Sequence, residues 1–157
     1  SVARDNDLVF ARTRSLVLAL LEAQTLSSLA QALARSLVED FGMVASALLL
    51  AEARVDATLP GVRSLEGGEL DAAIGGLLRG ERITCGVLRP EELAFVFGPA
   101  AADVGSAAIV PLSFHGLRGV LAIGARDPQH FRSGMDTLFV GHIGEVLARR
   151  LHAVLPG

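Results

Sequence analysis

Apolar residues along this chain alternate between helical spacing and short continuous runs, with glycine and proline between them. The most regular series is Leu26, Leu29, Leu33, Leu37 and Phe41. Its three-to-four-residue spacing predicts a helix with one stripe turned to a core. Thr25 or Ser27 can cap that helix and Gly42 can end it. An earlier helix is predicted over about 5–23. It opens on Arg4-Asp5-Asn6-Asp7, with acids where the helix dipole favours them. From Leu16 to Leu21 it is apolar on nearly every face, so it should need cover from more than one side.

Ala45 to Ala51 reads as a buried central strand, and Pro60-Gly61 marks a turn before a short strand over Val62–Leu65. Gly67-Gly68 opens a third helix over Glu69–Arg79, with Leu70, Ile74, Leu77 and Leu78 inward and Gly80 as its stop. Ile83 to Leu88 is predicted as a strand. Pro90-Glu91-Glu92 starts a short helix ending near Gly98-Pro99, because proline suits the first helical position and acids the first turn. Ser106–Leu112 and Leu117–Ala125, joined through Phe114-His115-Gly116, form the strongest hairpin signal. A last helix is predicted over about 134–154, with Met135, Leu138, Phe139, Val146, Leu147, Leu151 and Val154 along one side. Helices at both ends of a run of adjacent strands imply an α+β fold with an antiparallel sheet.

Composition narrows the chemistry. The 157 residues suit one domain, and half of them are apolar. The net charge is −3 and no basic stripe is visible, so no nucleic-acid partner is expected. All fourteen basic residues are Arg and all seven aromatics are Phe. Without Lys there is no Schiff base and no phosphate-loop lysine, and without Tyr no phenolic acid or base. The longest apolar run is far shorter than a membrane span. The single cysteine, Cys85, suits a reducing compartment, so a cytoplasmic location is expected. The start, Ser-Val-Ala, lacks a Met and a basic leader, which suggests an ordered portion of a longer protein.

The element order resembles the GAF fold. More specifically, the chain is similar to the DUF484 family of bacterial GAF-like proteins. The resemblance rests on Arg4-Asp5-Asn6-Asp7 and Leu16-Val17-Leu18-Ala19-Leu20-Leu21 in the first helix. It continues through Gly105-Ser106-Ala107-Ala108-Ile109-Val110-Pro111-Leu112 and Gly119-Val120-Leu121-Ala122-Ile123-Gly124. Arg126-Asp127-Pro128, Phe131, Met135-Asp136-Thr137-Leu138-Phe139 and Gly144-Glu145-Val146-Leu147-Ala148 complete it. It implies a central antiparallel sheet, terminal helices on one face and ligand-covering segments on the other. Residues 1–24 would be a helix for linking or dimerisation, and residues 25–157 the GAF-like domain. It implies a sensory or regulatory module that binds an unknown small molecule or signals, and the all-round apolar stretch Leu16–Leu21 suggests a homodimer through the terminal helices. The alternative is a protein-interaction scaffold that has lost its ligand, its cavity filled by Phe95, Phe97 and neighbouring aliphatics. No cofactor is implied, and the Asn-Lys-Phe-Asp-Glu signature of cyclic-nucleotide GAF domains cannot exist without Lys.

Residues in the segments that would border a GAF cavity are the ligand-binding candidates: Arg63, Arg82, Thr84, Cys85, Phe95 and Ser106, with Arg79 and Arg89 nearby. Two converging arginines could hold a carboxylate or phosphate. Catalytic and metal readings are weaker. His115, His130, His142 and His152 include no i, i+4 pair, so no helix offers two metal ligands on one face. Ser106, His115 and Asp103 lack a nucleophile-elbow context. Gly75-Gly76 and Gly80 are followed by no Lys. One cysteine cannot form the resolving disulfide of the GAF-type methionine-sulfoxide reductases. A non-enzymatic module is therefore expected.

Overall fold

The computed structural model describes residues 2–132, 135 and 137–156. The elements are α1 (Val2–Glu22), α2 (Leu26–Glu39), β1 (Ala45–Ala51), β2 (Val62–Leu65), α3 (Gly67–Ile74), β3 (Thr84–Gly86), α4 (Pro90–Phe97), β4 (Ser106–Phe114), β5 (Leu117–Ala125) and α5 (Leu138–Val154). Short 3-10 segments over Gly75–Glu81 and Gly98–Asp103 follow α3 and α4. The five strands form one sheet in the order β2-β1-β5-β4-β3. Beyond the β1–β2 edge every pairing is antiparallel. The central strands thus pair antiparallel as expected, and only at the edge does β2 run parallel to β1, with Leu48 beside Val62. The ten residues 52–61 carry the chain back alongside the middle of β1 before β2 begins at Val62, so the two strands point the same way.

The sheet separates two cores. On one face α1, α2 and α5 bury Leu16, Leu20, Leu29, Leu33, Leu37, Ile143, Leu147 and Leu151 against Leu48, Leu50, Val110, Leu121 and Ile123. On the other, α3 and α4 bury Leu70, Ile74, Val96 and Phe97, with Leu88 and Val104, against Leu49, Ile109, Val120 and Ala122. Period-two alternation along β1, β4 and β5 supplies both faces at once. This explains why β4 and β5 read as continuous apolar runs.

The stripe on α2 packs as its spacing predicts, and the Phe41 ring stacks on Phe139 at 6.3 Å. Thr25 and Ser28 form a reciprocal cap: Ser28 N–H donates to Thr25 Oγ1 at 3.0 Å, and Thr25 N–H to Ser28 Oγ at 3.1 Å. The hairpin between β4 and β5 turns on His115 and Gly116, both at positive φ (47° and 86°). Two such residues match the twist of the flanking strands.

Three elements differ from the pattern-based reading. The third helix stops as an α-helix at Ile74, and Gly80 at φ +67° breaks the 3-10 continuation. β3 pairs only over Thr84–Gly86 rather than 83–88. The last helix begins at Leu138, and Gly134 lies outside the described residues. Its inward face is Val140, Ile143, Gly144, Leu147, Ala148 and Leu151. Leu138 is exposed, Met135 precedes the helix, and Val146 is only half-buried. The two glycines within the helix misled the pattern. A Cβ on Gly144 would stand 2.8 Å from Val110 Cγ1, so the helix backbone itself lies on β4.

Glu92 is the one buried carboxylate of α4. It accepts from Arg89 N–H at 2.9 Å and from the Arg89 guanidinium at 3.1 Å. The guanidinium bond holds its acid dissociation below the ordinary value of 4.5, outweighing burial. A carboxyl with a depressed folded value stabilises the fold above its unfolded value, and that stability is lost as pH falls through the folded one. Glu92→Gln is therefore expected to cost about 1 kcal/mol at neutral pH. The difference from the parent protein should shrink in urea titrations run progressively below pH 4.5. A difference that grows on acidification would contradict this assignment.

Candidate functional site

The six cavity candidates do not meet in one place. Arg63 and Phe95 do meet: the guanidinium donates to the Phe95 carbonyl and lies 5.1 Å from the centre of its ring. Partial burial lowers the Arg63 proton affinity against an opposing pull from Glu69. Thr84 faces the same side of the sheet, opposite Ile109, and donates to the Leu77 carbonyl at 2.9 Å. Arg82 is exposed, beside Gly80. Cys85 and Ser106 lie on the opposite face, with the terminal helices. Cys85 pairs in register with Ala108, and burial pushes its thiol above the ordinary value. A thiol so placed is a small core residue, poorly suited to act as a nucleophile. Ser106 is fully buried; it donates to the Asp127 carbonyl at 2.7 Å and accepts from Phe131 N–H at 3.1 Å. It ties the 126–131 corner to the sheet.

The face expected to hold a ligand is filled by the protein's own side chains, notably Leu70, Ile74, Val96 and Phe97. Of the flanking arginines, Arg89 is engaged with Glu91 and Glu92. On this face Arg118 also pairs with Asp71, at 2.5 Å. That pair lowers Asp71 and raises Arg118.

The substantial open volume lies elsewhere. A groove of about 550 Å³ runs between α1 and the first turns of α5. Val9, Phe10, Val17, Leu18, Leu138 and Phe139 supply its apolar lining, with Asn6, Arg14 and His142 also bordering it. Thr13 is buried there and spends its hydroxyl on its own helix, donating to the Val9 carbonyl at 2.8 Å. Among the described residues no acid, cysteine or second histidine lines this groove, and no group of three or more metal-binding side chains exists. The lining is predominantly apolar.

Two features hold the groove open. α1 is attached through a narrow stripe, Thr13, Leu16, Leu20 and Ala23, while Phe10, Leu18 and Leu21 face outward. The all-round apolar stretch of α1 is thus covered on one side only. Arg150 of α5 then clamps the far end of α1, donating to the Leu20 carbonyl at 3.2 Å and the Ala23 carbonyl at 2.6 Å. A cation on the orphan carbonyls of a helix C-terminus satisfies them and opposes the negative end of the dipole. The sequence carried no signal for this clamp, which joins residues 127 and more positions apart. Nor did it reveal the hairpin-tip cluster, where Phe114 lies edge-on to both His115 and His152.

Residues 1–154 match the family described as "Protein of unknown function, DUF484". The chain belongs to the DUF484 family. No curated protein matches it in sequence. Among solved structures it is similar to the GAF domain of a phosphoenolpyruvate-protein phosphotransferase (ptsP) from Coxiella burnetii. That likeness has a TM-score of 0.68 at 17% identity and covers 92% of each chain. The GAF domain of the Acinetobacter phosphoenolpyruvate-protein phosphotransferase gives 0.67 at 18%, covering 92% of this chain and 95% of the other. The free methionine-R-sulfoxide reductase of Neisseria meningitidis, solved with its substrate, gives 0.67 at 18%, covering 92% and 89%. At such identities the likeness establishes a shared GAF fold. Among the described residues of this DUF484 chain no helix is long and apolar enough to cross a membrane.

Proposed function

We propose that this DUF484 chain is a GAF-type regulatory module that works as a homodimer through α1 and α5 and catalyses no reaction itself. The observation that carries the reading is the apolar groove between those helices, with large side chains exposed around it. Leaving such a patch in water is costly, and contiguous apolar surface of this kind marks an association site. The non-enzymatic part is supported by the lone Cys85, whose thiol burial raises, and by a groove lining that among the described residues holds no acid or cysteine. A cytoplasmic setting fits a free thiol.

Two versions differ in what drives the module. In one, a small molecule shifts the terminal helices by favouring one packing over another. In the other, the domain is a scaffold that no longer binds a ligand. The side chains filling the α3–α4 face favour the scaffold. Light scattering at micromolar concentration is expected to give twice the 16.4 kDa chain mass. Native mass spectrometry of protein from its own host would report any retained small molecule, whose presence would support the ligand-driven version. A monomer with α1 intact would sink the association reading.

A further inference from the structure

We infer that the second copy lies antiparallel across the groove, its own α1 crossing the twofold near residue 12, so that Arg14 of each copy stacks on Phe10 of the other. This deepens the homodimer reading and rests on it.

Self-complementarity comes first. A twofold interface is one patch facing itself, so the patch must carry both knobs and a hole. Here the hole is the 550 Å³ groove, and the knobs stand on its own rim and along the same helix face. Phe10 is 72% exposed, Leu138 78%, Leu21 54% and Leu18 41%. Together they offer roughly 500 Å² of apolar surface per copy. A standard interface buries about 800 Å² per partner, somewhat more than half of it apolar. The patch therefore holds the apolar share that a stable dimer needs.

Charge sets the direction. Asp7, Phe10, Arg14, Val17 and Leu21 recur at three- and four-residue steps and form one outward seam of α1. In a parallel dimer each residue of the seam meets itself, placing Arg14 on Arg14 and Asp7 on Asp7. In an antiparallel dimer the twofold passes through the middle of the patch. The groove's α1 lining runs from Asn6 to Leu18, so residues whose numbers add to about 24 face each other. Phe10 then meets Arg14, a guanidinium on an aromatic face. Asp7 lies one turn from the same guanidinium.

The helix dipoles agree. Arg150 touches the C-terminal carbonyls of α1, while Phe139 and His142 share the groove with Val9 and Thr13. Within one copy α1 and α5 therefore run side by side in the same direction. A parallel dimer would align four dipoles, whereas an antiparallel one opposes the two pairs.

The test uses nitroxide labels on Leu21→Cys in a Cys85→Ala background, read by pulsed electron–electron resonance. Antiparallel packing separates the two sites by 18 residues of helix, about 27 Å along the axis. Parallel packing brings them to about the 8–10 Å spacing of neighbouring helices. A distance beyond about 25 Å is the expected result. A short distance overturns the antiparallel arrangement while leaving the dimer standing, and no dipolar coupling overturns both. Charge exchange gives an independent reading by dilution light scattering. Asp7→Arg or Arg14→Asp alone is expected to weaken the dimer about 5- to 10-fold, and the two together to restore it. Single exchanges without effect would overturn the pairing. Unchanged far-ultraviolet circular dichroism guards against unfolding.

Discussion

Gly105→Ala is expected to lower the melting temperature by about 6–12 °C, a loss of about 3 kcal/mol for a domain of this size. Gly105 opens β4, and its N–H donates to the Ala125 carbonyl at 2.8 Å. The chain leaving β5 folds straight back over it. A Cβ built on Gly105 would stand 2.1 Å from the Arg126 carbonyl oxygen and 2.8 Å from Pro128 N. Both are backbone atoms, so no rotamer change relieves the clash. The corner is pinned from the other side, since Ser106 holds the Asp127 carbonyl and Phe131 N–H, and Asp127 Oδ1 accepts from Gln129 N–H at 2.8 Å. Either the β4–β5 register or the 126–131 corner has to give way. Differential scanning calorimetry checks the size of the effect, and amide exchange at Phe131 checks its location. A melting temperature within about 2 °C of the parent would mean that the corner is not held as described.

Leu20→Ala is expected to cost about 3 kcal/mol and to loosen α1 before the rest of the domain. Leu20 is fully buried, and α1 is attached chiefly by Leu20, Leu16, Thr13 and Ala23. Removing one of two large anchors leaves a cavity beneath a helix whose first turns bury little. The substitution also weakens the grip of Arg150, which reaches the Leu20 and Ala23 carbonyls. Hydrogen exchange followed by mass spectrometry should show α1 losing protection while β4 and β5 keep theirs. If the homodimer forms through α1, the same variant should dissociate at higher concentration than the parent. Uniform loss of protection across the domain would show that α1 is integral to the cooperative core.

The two substitutions probe different kinds of information. Leu20 sits in a run whose apolar character is plain in the sequence, so its burial could be expected. Gly105 could not be singled out in that way, because many glycines are present and only the returning chain makes this one indispensable. Ser106 illustrates the same limit. It was a candidate because its segment would border a GAF cavity, but the parity of the β4–β5 register turned it toward the terminal helices.

Periodicity and turn chemistry by themselves determined the element order, the hairpin, the stripe on α2 and, through resemblance, the GAF fold. These depend on neighbours a few residues apart, where the backbone repeat dictates which side chains share a face. The tertiary structure alone decided the parallel β2 edge, the sorting of Cys85 and Ser106 away from Thr84 and Arg63, and the filling of the α3–α4 face. It also decided that α1 is covered on one side only, which leaves an apolar groove beside Phe10. Each of these is set by contacts between distant segments, such as Arg150 with Leu20 or Gly144 with Val110. No local pattern records such contacts, because their free energy appears only once the chain has folded back on itself.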